Sequence, residues 1–81
     1  MKVGEDVILD KDILIRQSET ATIGNHVSID KGFYSTTKLH VGDYVHIAPY
    51  VTIIGGKTGE FTCKGFNNIM AGARIVCGSD R

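Results

Sequence analysis

Branched aliphatic residues return along this chain in alternating steps of four and two. Val41, Val45, Ile47, Val51 and Ile53 form the cleanest run; Ile23, Val27 and Ile29 repeat it, as do Val3, Val7, Leu9, Ile13 and Ile15. On an α-helix, at about 100° per residue, positions spaced this way scatter around the cylinder instead of forming a stripe. A flat meander needs strict alternation over longer runs. A coil of three short faces, six residues to a face, satisfies the pattern. The residue opening each face and the one two places before it point inward, and Val, Ile and Leu stack coil upon coil at about 4.8 Å, the interstrand spacing of a sheet. The predicted elements are therefore short parallel strands in an all-β, parallel β-helix.

Four segments align without gaps: Val3 to Ser18, Ile23 to Lys38, Val41 to Gly56 and Cys63 to Gly78. Their starts lie 20, 18 and 22 residues apart, so the unit is 18 and two junctions carry insertions. The extra two residues fall around Arg16 to Thr20, read as a bulged corner. The extra four fall within Gly55 to Thr62, read as a loop that leaves the prism and returns. The whole chain, 1–81, is one domain of about three and a half coils, and it stops part-way round the fourth.

Ten glycines against one proline mean that the many sharp turns are not made by proline chemistry. Nine Lys and Arg balance nine Asp and Glu, which argues against a nucleic-acid surface. No apolar run approaches the roughly 18 residues of a membrane span, so no membrane insertion is expected. Met1 leads straight into patterned sequence with no export signal, and the expected compartment is cytoplasmic. Cys63 and Cys77 are too few and too widely spaced for a disulfide framework or a zinc cluster, and read as small apolar fillers.

The stretches IGNHVSI, VGDYVHIAPYVTIIGG and NNIMAGARIVCGSDR resemble those of the left-handed β-helix acyltransferases, the hexapeptide-repeat transferases that acylate sugars and other small hydroxyl or amine acceptors. The resemblance spans nearly the whole chain and alone implies the left hand of the coil. It implies an acyl-CoA donor, transfer of an acetyl or other acyl group to a sugar-like acceptor, and a site shared between subunits of a trimer. Members of that family usually run for more coils, so a C-terminally truncated chain is one expectation. A non-catalytic scaffold or remnant of such an enzyme is the alternative function.

Acyl transfer needs a base for the acceptor proton, donors near the developing oxyanion and a slot for the thioester arm. Histidine is the usual base because imidazole titrates near neutrality. Of His26, His40 and His46, the last is chosen: it faces outward between inward Val45 and Ile47 in the best-matching repeat. Stacking places Ser28 below it and Asn68 above it, where Asn68 can orient the ring or the acceptor; Asp43 and Tyr44, on the preceding corner, can contact the acceptor. Small residues permit close approach of a pantetheine arm. Gly55, Gly56 and Lys57 on one side and Ala71, Gly72 and Arg74 on the other are the expected walls, with Lys57 and Arg74 toward phosphates. Three histidines also raise a third reading, a carbonic-anhydrase-type zinc site completed by a neighbouring subunit; no metal is expected on the first reading. A prism this thin scarcely offsets its ordering entropy alone. Oligomerisation through outward Phe33, Tyr34, Tyr50, Ile54 and Phe66 is expected, most simply as a trimer.

Overall fold

The computed structural model describes residues 1–56 and 58–77. Its strands are β1 (Lys2–Val3), β2 (Ile8–Leu9), β3 (Leu14–Ile15), β4 (Thr22–Ile23), β5 (Ser28–Ile29), β6 (Tyr34–Ser35), β7 (Lys38–Ile47), β8 (Thr52–Ile54), β9 (Glu60–Ile69) and β10 (Arg74–Val76). Every pairing is parallel. One face stacks β1, β4 and the first halves of β7 and β9; a second stacks β2, β5 and their second halves; the third stacks β3, β6, β8 and β10. This is a parallel β-helix, and Val3, Ile23, Val41 and Cys63 mark its successive coils in register.

Ile23, Val27, Ile29, Leu39, Val41, Val45, Ile47, Val51 and Ile53 are all buried, so the four-and-two spacing does wind the aliphatic residues into one axial core. Side chains in matching slots lie one strand apart, where branched residues pack face to face. The end coils lack a neighbour on one side. Accordingly Val3, Ile8, Leu9 and Leu14 remain exposed below, while Ile69 and Ile75 are only half-buried above.

Two expectations need correction. Phe33 is fully buried, not outward: Tyr34 pairs with Thr52, so the preceding Phe33 occupies the inward slot that Val51 fills one coil on. The excursion after β8 is shorter than Gly55 to Thr62. Gly59 donates its N–H to the Gly55 carbonyl at 2.9 Å and accepts that of Lys38 at 3.1 Å, and Glu60 to Thr62 already pair with Lys38 to His40. Gly24 and Gly42 lead into corners, where the left-handed residues His26 (φ 58°) and Tyr44 (φ 58°) follow them. The other insertion is where it was expected, as a single 3₁₀ turn at Ser18–Thr20.

The corners are tied by polar ladders. The Asn25 side chain accepts the Glu5 N–H at 2.8 Å, and Asp43 accepts that of Asn25 at 2.7 Å. At the third corner Gln17 donates to the carbonyls of Thr36 (2.9 Å) and Gly56 (2.8 Å), joining three coils. Each such bond meets backbone groups that a turn otherwise leaves open.

Candidate functional site

The second face carries the row Ser28, His46, Asn68, confirmed by the pairings of Ser28 with His46 and of His46 with Asn68. His46 stands outward because Val45 and Ile47, its neighbours in the strand, turn into the core. Its Nε2 lies 3.0 Å from Asp30 Oδ2, the side chains being 48% and 31% exposed. A carboxylate has no proton to give, so Nε2–H donates to it and Nδ1 keeps the lone pair in the neutral ring. That is the arrangement of an oriented base. Asp30 lies two residues beyond Ser28, diagonal to His46, and stacking by 18 does not point to it.

The two acceptor candidates on the preceding corner are already engaged. Asp43 Oδ1 holds the N–H of Asn25. Tyr44 is sandwiched between His26 (ring centroids 4.7 Å apart) and Phe66 (5.1 Å), three stacked rings on successive coils. Asn68 is exposed directly above His46.

The expected donor-side residues flank the third face, one corner on from His46. Ala71 and Gly72 are exposed where the chain turns over Pro49, whose carbonyl accepts the Gly72 N–H at 3.0 Å, and Arg74 is exposed on β10 beside Thr52. At the far end, Gly55 and Gly56 donate their N–H groups to Thr36 Oγ1 at 3.0 and 3.3 Å. A Cβ at Gly56 or Gly72 would meet nothing within 4 Å, whereas at Gly55 it would strike Thr37. Lys57 lies outside the described residues.

Each of the other histidines has its own carboxylate. His26 Nδ1 lies 2.8 Å from Asp6 Oδ2, and His40 Nε2 lies 2.9 Å from Glu60 Oε2. His40 also has its second nitrogen, Nδ1, 2.9 Å from Thr22 Oγ1. Three separate pairs on different faces and corners do not converge, and among the described residues no group of three or more His, Cys, Asp or Glu side chains is placed to hold a metal ion. Cys63 is buried in the core and Cys77 half-buried, both as free thiols. No helix among the described residues is long and apolar enough to cross a membrane.

Asp30, Glu60 and Thr22 are the polar groups that the repeat pattern did not single out. Thr22 and His40 are 18 residues apart and so share a row, but Glu60 fell in the segment read as a loop. No family model, no curated protein and no solved structure matches the chain.

Proposed function

We propose that the chain acts in acyl transfer, moving an acetyl or other acyl group from coenzyme A to a hydroxyl or amine of a sugar-like acceptor. The observation that supports this most directly is the His46–Asp30 hydrogen bond of 3.0 Å on an exposed face of the coil. Asp30 fixes the ring so that Nδ1 takes the acceptor's proton as its oxygen or nitrogen attacks the thioester carbonyl. The departing thiolate then collects that proton. Asn68, one strand above, orients the acceptor. Ala71, Gly72 and Arg74, all exposed on the following turn and strand, are the residues assigned to the pantetheine arm and its phosphates.

Association side by side goes with this reading. Tyr50 and Phe66 are largely exposed on the flanks, at 61% and 82%, and a trimer would bring the flank of one copy against the His46 face of another. The test is release of free coenzyme A from acetyl-CoA in the presence of amino- and hydroxy-sugar acceptors, with assembly followed by light scattering. His46→Ala abolishes turnover and leaves the assembly state unchanged; retained turnover in that variant removes the mechanism.

A further inference from the structure

We propose a second reactive centre, independent of His46 and of coenzyme A, in which Thr22 is a nucleophile activated by His40 and Glu60 on the first face of the coil. Thr22 and His40 are partners in the β4–β7 register, and their side chains leave the same face one strand apart. Thr22 Oγ1 lies 2.9 Å from His40 Nδ1, and His40 Nε2 lies 2.9 Å from Glu60 Oε2. The proton positions follow from the chemistry of the three groups. The Glu60 carboxylate can only accept, so Nε2–H points at it. Nδ1 of the neutral ring then carries the lone pair, and the Thr22 hydroxyl donates to it. A hydroxyl bonded to an imidazole that is oriented in turn by a carboxylate is the general signature of an activated oxygen nucleophile.

The surroundings fit a small acyl substrate. Thr22 is half-buried and the His40 side chain 33% exposed, so the hydroxyl is anchored yet reachable. A depression of about 530 Å³ has Thr22 in its wall, together with Lys2, Val3, Gly4, Ile23, Gly24 and Val41. Gly4 and Gly24 present only backbone there. Lys2 pairs directly with Thr22 in the β1–β4 register and supplies a cation on the same row to offset charge on a developing oxyanion.

The substrate class is an activated oxygen ester of a small carboxylic acid. Thr22 Oγ1 bonds to the carbonyl carbon as its proton passes to His40 Nδ1. The tetrahedral adduct collapses with rupture of the bond to the leaving alkoxide or phenoxide, which takes the proton from His40. Water, deprotonated by the same ring, then attacks the acyl-Thr22 carbonyl; the bond to Thr22 Oγ1 breaks, that oxygen takes the proton back from His40, and the acid is released.

The test is incubation of the whole chain with p-nitrophenyl acetate, without coenzyme A or any acceptor, following nitrophenolate release, intact mass and peptide mapping of the adduct. The expected result is one acetyl group on Thr22. Thr22→Val keeps the shape and loses the adduct, Thr22→Ser retains it, and His40→Ala slows its formation by at least about 100-fold. Glu60→Gln slows it less. Acetyl groups that map only to lysines or the N-terminus, or an acylation rate indifferent to Thr22→Val, overturn the proposal. Mapping on the unsubstituted chain decides the matter even where a variant fails to fold.

Discussion

Replacing Gly42 by alanine should loosen the fourth coil, whereas the same change at Gly72 should cost only a local backbone strain. A Cβ built on Gly42 stands 2.2 Å from the Lys64 carbonyl oxygen and 2.6 Å from its carbon, about 1 Å short of ordinary contact. The obstacle is backbone, held in the β7–β9 pairing from Lys38 to Ile47, so no side chain can swing aside. Relief requires β9 to lift. Two or three ladder bonds at about 0.5–1.5 kcal/mol each, with part of the cover that Cys63 gives the core, put the loss near 2–4 kcal/mol. For 81 residues the whole stability is on the order of 4–12 kcal/mol. Gly72 has φ +73° and nothing within 4 Å of an added Cβ, so its alanine variant bears only the left-handed backbone cost of about 1 kcal/mol. Thermal and urea unfolding followed by circular dichroism, at one protein concentration, should give Tm losses on the order of 10–25 °C for Gly42→Ala and about 4–8 °C for Gly72→Ala. Hydrogen exchange should show the amides of β9 opening selectively in the first variant. Equal losses in the two variants, or a Gly42→Ala chain as stable as the parent, would refute the reasoning.

Other outcomes follow from buried groups and from the site. Thr37 is fully buried and its Oγ1 has no hydrogen-bond partner among the described residues; Thr37→Val should therefore raise stability by about 1 kcal/mol, and a drop in the urea midpoint would contradict that. Ile47, wholly buried between Ile29 and Ile69, should cost about 2–5 kcal/mol when cut to alanine, read from the same unfolding curves. Asp30→Asn should lower kcat for acyl transfer less than His46→Ala does and leave KM nearly unchanged; an unaltered kcat means that Asp30 does not orient the base.

The fold was legible because its core obeys a rule that sequence displays directly. Val41, Val45, Ile47, Val51 and Ile53 recur with a fixed step, and each is buried. Even the rows came through: the alignment that set Ser28 under His46 and Asn68 over it is the observed register. Phe33 was misplaced because the slot was recognised by branched aliphatic residues, while its volume is accommodated by the axial space next to Val51. The polar pairs were less visible. Asp30 reaches His46, and Glu60 reaches His40, along diagonals between rows, and such reach depends on side-chain length and rotamer, which the repeat does not encode.

The 3₁₀ turn at Ser18–Thr20 has a practical consequence. Leu14 pairs with Tyr34 across 20 residues and Thr22 pairs with His40 across 18, yet both ladders are in step, because the surplus is taken up entirely within that turn. The molecule thus tolerates a change of length at a vertex that it would not tolerate along an edge. A short epitope spliced between Glu19 and Thr20 should be displayed without shifting any rung, whereas one extra residue inside β5 would turn the hydrophobic side of every later rung outward. Antibody capture of the first insertion, with an unchanged melting curve, is the check.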